Sequence, residues 1–441
     1  MSTRPRENGA KDEVAPPSGK LLILLAGLGA VATTLIAGVE LCRRGASRAI
    51  GSLAEMGRLP DPEAPNGSRP LREVVPLAAL VDLEFAAWDV LRRDAHAAAV
   101  QAGVLSSRHL EPLAGFLSRI SPMPGVSGRD APPGPAPDHM IDPRRSKREQ
   151  AETLRADIRT RLAGAGAERS VCLIVTSTES RETPAPCHAS LAALEHALDG
   201  DDPAITPSQL YAYACLRERV PVANGTPNSA LELPALQELA RETGTPFAGR
   251  DLKTGQTMIK TALAAALKAR ELGLIGWFST NILGNADGLA LTAPGATAAK
   301  RETKEGVLDS ILRPDLFPDL YADFVHQVQI QYYPPRGDQK ESWDNIDVKG
   351  WLDYPMQIKV DFLARDSILA APICLDLALF LDLARRAGER GIQDWLSFYF
   401  KAPLVTAGER PVHDLFAQLA VLQDGLRRLS GRASTLDRDA R

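Results

Sequence analysis

Lysine is scarce in this 441-residue chain: of 51 basic residues, 39 are arginine and 12 are lysine. Nine of the twelve lie between Lys253 and Lys401. A chain that writes arginine almost everywhere it needs a surface cation keeps lysine for work that arginine cannot do. The ammonium group is a compact charge whose pKa moves on burial and which exchanges a proton, whereas guanidinium stays charged. Cysteine is sparse too. Cys42, Cys172, Cys187, Cys215 and Cys374 are odd in number, far apart and never in a C-x-x-C arrangement. That argues against a disulfide framework and a thiolate zinc site, and fits a reducing, cytoplasmic setting. The seven histidines form no H-x-x-x-H pair, so the metal content is left unknown, and His326, in phase with Val328 and Ile330, reads as a core residue. There is no basic surplus: a net charge of -4 argues against a broad nucleic-acid face, and Arg144, Arg145, Lys147 and Arg148 read as a solvated helix start.

The apolar fraction of 44% and charged fraction of 24% are those of a soluble globular chain long enough for two or three full cores. Leu21 to Val39 carries no charge and is flanked by Lys20, Arg43 and Arg44. By hydropathy it passes for a transmembrane helix or signal anchor. It also reads as a buried strand to Ala26, a glycine turn Gly27-Leu28-Gly29 and a helix from Ala30. In that case the G-x-G-x-x-A pattern brings the backbone close to a pyrophosphate at a helix N-terminus. No acidic residue stands at the usual distance for a ribose, so the residues leave both readings open.

Residues 1–17 and 431–441 read as polar, disordered tails. A short strand is expected within Arg72 to Leu83, with Phe85 to Val90 opening a loop into a helix. Pro122 to Pro143 reads as a surface excursion, and Glu149 to Ala163 as a helix. Ser170 to Thr176 suits a buried parallel strand, with Ser177, Thr178, Glu179 and Ser180 at the carboxyl end, where an open α/β sheet binds ligands. Helices follow near 188–198, 207–217 and 233–243, with Asn224-Gly225-Thr226-Pro227 as a turn. This alternation predicts a doubly wound domain over the first 250 residues. Beyond it comes a helix from Met258 to Leu272. Val325 to Tyr333 and Met356 to Phe362 then alternate with period two, which predicts half-buried antiparallel strands. An apolar helix from Ile373 to Ala387 returns the chain to the first domain.

Four segments carry chemistry. Asp251-Leu252-Lys253-Thr254-Gly255-Gln256-Thr257 enters a helix and offers hydroxyls and amides to a phosphate, or merely caps that helix through Thr254 or Thr257. Asn281-Ile282-Leu283-Gly284-Asn285-Ala286-Asp287-Gly288 is too polar and turn-rich for a plain connection. Lys300 and Lys304 stand at i,i+4 spacing, which repels unless an anion lies between them. Finally, Gly337-Asp338-Gln339-Lys340, Arg365-Asp366-Ser367 and Lys401-Ala402-Pro403-Leu404 each follow a strand or an aromatic run, which leaves Lys401 partly desolvated.

In that order, densest over 249–405, these motifs resemble the inositol-3-phosphate synthase family, isomerases that make inositol phosphate from glucose 6-phosphate. The resemblance extends to the glycine turn, Trp88-Asp89-Val90, Ser177-Thr178-Glu179 and Asn224-Gly225-Thr226-Pro227, and so decides for strand, turn and helix over a membrane span. It implies a Rossmann-like α/β domain from 18–250 and 372–430, with an inserted α+β catalytic and oligomerisation domain at 251–371 whose open, mostly antiparallel sheet builds a tetramer. It implies tightly held NAD on Gly27, Leu28, Gly29, Ala30, Val31 and Ala32. Asp89, Val90, Ser177, Thr178, Gly225, Thr226, Asp251, Ala286, Asp287, Asp366 and Ser367 surround that cofactor. A hexose 6-phosphate then rests its phosphate on Thr254, Gly255, Gln256, Thr257 and Asn285. Lys300, Lys304, Lys340, Lys401 and Asp366 are the implied catalytic groups, with room for a monovalent or divalent cation.

The implied chemistry is oxidation at C5, loss of a C6 proton, attack of the enolate on the C1 aldehyde and re-reduction. Each stage places negative charge on an oxygen, where preorganised ammonium groups act best. The chain departs from the family at Ala30-Val31-Ala32, Ser177, Thr254, Met258 and Arg365, where a Gly-Asn-Asn-Gly run, Asn, Ser, Lys and Glu are usual. The departures suggest a divergent bacterial-type branch. The rival readings are the same chemistry on another hexose phosphate, a non-catalytic NAD- and sugar-phosphate-binding homologue, and a membrane protein anchored by 21–39.

Overall fold

The computed structural model describes residues 14–128, 135–179, 185–284, 288–289 and 307–431. Its largest sheet has seven strands: β1 (Lys20–Ala26), β4 (Leu83–Asp89), β5 (Met123–Pro124), β6 (Ala167–Ile174), β7 (Val222–Asn224), β8 (Pro246–Gly249) and β13 (Gly391–Ile392). They lie in the order β13-β8-β7-β6-β1-β4-β5, and every neighbouring pair is parallel. Between β1 and β4 the chain inserts an antiparallel pair, β2 (Arg58–Pro60) with β3 (Ser68–Pro70).

The apolar run of β1 has its cause in this placement, because both faces of the strand are covered. Leu21, Ile23 and Leu25 enter one core, shared with α1 (Ala30–Arg43) and α8 (Asp366–Arg386). Leu22, Leu24 and Ala26 enter the opposite core, shared with α3 (Lys147–Ala165), α5 (Pro207–Arg217) and α6 (Pro234–Thr243). The segment from Leu21 to Val39 is thus strand, turn and helix. Capping boxes start α3 at Ser146/Glu149 and α5 at Thr206/Gln209, and Gly244 ends α6 in the left-handed region. This part also holds α2 (Ala95–Ala102), α4 (Leu191–Asp199) and several single-turn helices.

A second, four-stranded sheet comprises β9 (Gly273–Leu283), β10 (Val325–Tyr332), β11 (Gln339–Lys349) and β12 (Pro355–Arg365), in the order β10-β9-β11-β12. Its inner face packs on α7 (Gln256–Ala269) through Trp277, Ile346, Val348, Ala264 and Leu267. The C-terminal α9 (Leu415–Leu429) closes the first core with Leu422, Leu426 and Leu429.

Several expectations are corrected. The strand sought within Arg72 to Leu83 begins at Leu83 and runs through the segment read as a loop, because Ala87 and Trp88 are fully buried against β1. The alternating strand at 325–332 is parallel to β9, not antiparallel; alternation reports one wet face, and cannot report direction. Asn281 to Leu283 end β9 and are not loop. The excursion after Pro122 is attached at both ends, by β5 and by a bridge from Gly125 to Met140. The helix expected from Ile373 starts at Asp366 and carries Pro372 inside it, so a boundary at 371/372 divides one helix. Val14 packs on the core and Ala15 accepts from Arg386 at 2.9 Å, so the ordered chain begins before residue 18. Residues 1–13 and 432–441 lie outside the described residues.

Gly27 makes the turn out of β1 with φ 100, donating its N–H to Trp88 O at 2.9 Å. A Cβ there would meet Val175 O at 2.9 Å. Gly27→Ala is expected to cost about 1–2 kcal/mol from the left-handed backbone alone, with the clash added. Thermal unfolding checks this, and an unchanged melting temperature would contradict it.

Candidate active site

Between β1 and β6 the strand order reverses direction, and the carboxyl ends of both strands open on one cleft, of about 230 Å³. That is where a doubly wound sheet receives a ligand. On one side Leu28 N–H donates to Asp89 Oδ2 at 2.7 Å, tying the turn to the end of β4. Asp89 thus places an acid at the carboxyl end of the strand beside β1, farther along the sequence than the usual spacing because the β2–β3 segment is inserted. Gly29 caps α1 with no side-chain hydrogen bond, α1 has no acid in its first turn, and nothing lies within 4 Å of a Cβ placed on Gly29. The first amides of α1 thus suit a pyrophosphate, despite Ala30-Val31-Ala32.

The opposite wall is held by a buried polar lattice. Asn228 Nδ2 donates to Ser177 O at 3.0 Å, and Glu179 N–H to Asn228 Oδ1 at 2.8 Å. Glu179 accepts from Ser208, and burial raises its pKa above the usual carboxylate value. Gly225 sits where a Cβ would meet Ile174 O at 3.1 Å.

The segment after β8 brings the lysines in. Asp251 N–H donates to Thr226 O at 3.0 Å, while Lys401 N–H donates to Asp251 O at 2.7 Å and Leu252 bridges Phe400. Lys401 Nζ consequently reaches Asp251 Oδ1 at 2.7 Å, both side chains being more than nine-tenths buried. Lys340 Nζ lies 3.3 Å from Asp366 Oδ2. Thr254 Oγ1 donates to Asp366 Oδ1 at 2.5 Å, and Ser367 Oγ to Asp338 Oδ1 at 2.9 Å. Gly255 caps α7 without a side-chain hydrogen bond, so Thr254 does not cap that helix and, among the described residues, no side chain claims its first amides.

One cleft thus collects Gly29, Ala30, Val31, Ser177, Thr178, Gly225, Thr226, Asp251, Thr254, Lys340, Asp366, Ser367 and Lys401. Leu28 and Ala32 are buried in the core behind it. Gly27 supports the turn, Asp89 receives Leu28, and the Val90 carbonyl accepts from Asp138 and His139. Gly255 and Thr257 stand in the first turn of α7, whereas the Gln256 side chain is turned into the second sheet, onto Asp344 and Asn281. Lys300, Lys304, Asn285, Ala286 and Asp287 lie outside the described residues. Thr176, Pro227, Leu252 and Ala370 also line the cleft. Pro227 and Leu252 lie inside the quoted motifs, Thr176 directly precedes Ser177, and Ala370 follows Asp366 by one helical turn, a signal visible only once the helix is started there.

A family model described as myo-inositol-1-phosphate synthase matches residues 21–427. The chain belongs to the myo-inositol-1-phosphate synthase family. Inositol-3-phosphate synthase 1 of Bacteroides thetaiotaomicron is 44% identical over 96% of this chain and 98% of its own length. Inositol-3-phosphate synthase 1 of Oryza sativa subsp. japonica is 31% identical over 94% of this chain and 86% of its own. A solved inositol-3-phosphate synthase from Caenorhabditis elegans superposes with a TM-score of 0.89 at 25% identity, covering 96% of this chain and 88% of that one.

One further lysine of this synthase-family chain is perturbed. Lys253 Nζ donates to Gln418 Oε1 and sits 5.5 Å over the Phe398 ring. Burial lowers its pKa to about 7, which the nearby Asp414 opposes. Burial and the Lys253 charge in turn push His413 down to about 4. The unfolded chain holds the lysine proton up to about 10.5, so between these values unfolding takes up a proton and stability rises with pH. Relative to Lys253→Met, the wild type is expected to gain stability from pH 7 to pH 10, by at most about 1.4 kcal/mol per pH unit. Urea unfolding across that range tests it; a pH-independent difference would contradict it.

Proposed function

We propose that this chain is an NAD-dependent isomerase, an intramolecular lyase, that converts D-glucose 6-phosphate to 1D-myo-inositol 3-phosphate. The observation that carries the reading is the single cleft in which buried Lys340 and Lys401, each beside its own carboxylate, lie between two uncapped helix N-termini. NAD, when bound, supplies the hydride acceptor and donor at C5. Residues 27–32, Asp89, Val90, Ser177, Thr178, Gly225, Thr226, Asp251, Asp366, Ser367 and, beyond the described residues, Ala286 and Asp287 hold it. Thr254, Gly255, Thr257, the Gln256 amide and Asn285 hold the substrate phosphate.

The lysines act on the oxygens. As the C5 hydroxyl becomes a ketone, the C6 proton leaves, and the C6–C1 bond forms, charge collects on the C5 oxygen and then on the C1 oxygen. Ammonium donors already in place, shielded from water, lower the energy of both; one such donor is worth about 3 kcal/mol of barrier. Lysine also gives the C1 oxygen its proton, which guanidinium cannot do. Lys300 and Lys304 complete the set.

We assign 18–250 and 372–430 to cofactor binding and 251–371 to catalysis and assembly, in a cytoplasmic homotetramer. The outer face of the second sheet supports the assembly. Val325, Trp343 and Leu363 are exposed there, at 59%, 39% and 54%, with Phe278 tilted against Trp343. Large apolar side chains exposed on an otherwise polar sheet face favour contact with a second copy.

The deciding assay incubates the purified protein with NAD and glucose 6-phosphate and follows inositol phosphate by phosphorus NMR. Product is expected; tight NAD binding without product would instead favour another hexose phosphate or a binding role. Lys340→Arg should retain the fold and lower kcat at least about 100-fold, and near-normal turnover would reduce Lys340 to a structural cation. Trp343→Asp with Leu363→Asp should shift the particle to a smaller species in light scattering, an unchanged mass telling against this interface.

A further inference from the structure

Beneath the first turn of α7 lies a buried carboxylate that the reaction does not use. Asp344 is 3% exposed and shares the inner face of β11 with Lys340 and Ser342. Its Oδ1 accepts from Trp277 Nε1 at 2.7 Å and Ser279 Oγ at 2.5 Å, and its Oδ2 from Gln256 Nε2 at 3.0 Å. Gln256 Oε1 then accepts from Asn281 Nδ2 at 2.5 Å. Asn281 is fully buried, and its Oδ1 has no protein partner among the described residues.

We propose that Asp344 is a positioning residue that sets the donor and acceptor polarity of the phosphate end of the cleft. The proposal rests on the reading of the α7 N-terminus as the phosphate site. An ionised carboxylate only accepts. Gln256 must therefore turn its NH2 to Asp344 and its oxygen to Asn281, and Asn281 must answer with its own NH2. Two amides that could each face either way are given one orientation by one charge. A buried carboxylate is costly, and an apolar side chain of similar size would often be as stable. Here the charge does what apolar packing cannot: it anchors the first residue of α7 from the side, so that the helix needs no cap and its amides stay available to an anion. Lys260 Nζ, 5.5 Å over the Trp277 ring, places a cation one group away.

Asp344→Asn is nearly isosteric and inverts this order. The introduced amide keeps its oxygen on Trp277 and Ser279 and presents its NH2 to Gln256, which flips, and Asn281 flips after it. KM for glucose 6-phosphate and the competitive Ki of inorganic phosphate are expected to rise together by about tenfold or more, with NAD affinity unchanged. A merely structural carboxylate would change none of these selectively. A stability cycle gives an assay-free readout. Asn281→Asp alone sets two acceptors against each other and lowers the melting temperature. In the Asp344→Asn background the flipped Gln256 donates to the carboxylate introduced at position 281, so the double variant should melt above Asn281→Asp. Additive melting shifts overturn the relay, as does an Asp344→Asn enzyme whose KM and phosphate Ki match an active wild type. Wild type that binds neither glucose 6-phosphate nor phosphate would overturn the phosphate-site reading and with it the kinetic role, leaving the melting cycle to decide the relay.

Discussion

A buried ammonium group keeps its charge only where a negative group stands beside it, and the cleft is arranged around that constraint. Lys401 is met by Asp251 and Lys340 by Asp366. Each partner is held by main chain rather than by chance. Asp251 sits at φ 62 with its N–H on Thr226 and its carbonyl on Lys401, so the bridge between 249–253 and 399–402 delivers the acid and the base together. Asp366 stands in the first turn of α8, where the helix dipole favours a carboxylate.

The same dipole is used in the opposite sense at two other helices. Both α1 and α7 begin on a glycine with no side-chain cap and no acid in the first turn. Amides left unsatisfied at a helix N-terminus ask for an anion. One of these helices leaves the turn that follows β1 and the other leaves the Thr254 loop, so the cleft offers two separate anion sites, in the proposed reading one for the cofactor and one for the substrate phosphate. The acid is placed on the third helix, beside the lysine it must hold. Among the described residues the buried cations follow the same economy: four of them, Lys253, Lys260, Lys340 and Lys401, are lysines and only Arg427 is an arginine.

Most of the architecture was legible along the chain. Strand β6, helices α5 and α6 and the uncapped loop before α7 all carry local signals, an apolar run, a capping box, a glycine turn, that mean the same thing in any fold. The errors share a physical origin. Phe85 to Asp89 looks like a loop because the strand has charges at both ends, and only its place beside β1 buries Trp88. The direction of β10 could not be read because parallel and antiparallel strands with one wet face share the same alternation. Pro372 hid the start of α8, although a helix that is buried on nearly all sides tolerates it.

At the site, the spared lysines and the order of the motifs, with the family they resemble, pointed to Lys340, Lys401, Asp366 and the Thr254 loop, whereas whether Thr254 capped the next helix stayed open until the structure put Gly255 at the cap. What only the tertiary structure decided is who faces whom. Asp251 and Lys401 stand 150 positions apart and Thr254 and Asp366 stand 112 apart. Gln256, read as a phosphate ligand, gives its side chain to Asp344 instead. Local propensity acts over a few residues, whereas a carboxylate's choice of partner is settled by desolvation, and desolvation exists only once the sheets and helices have closed over it.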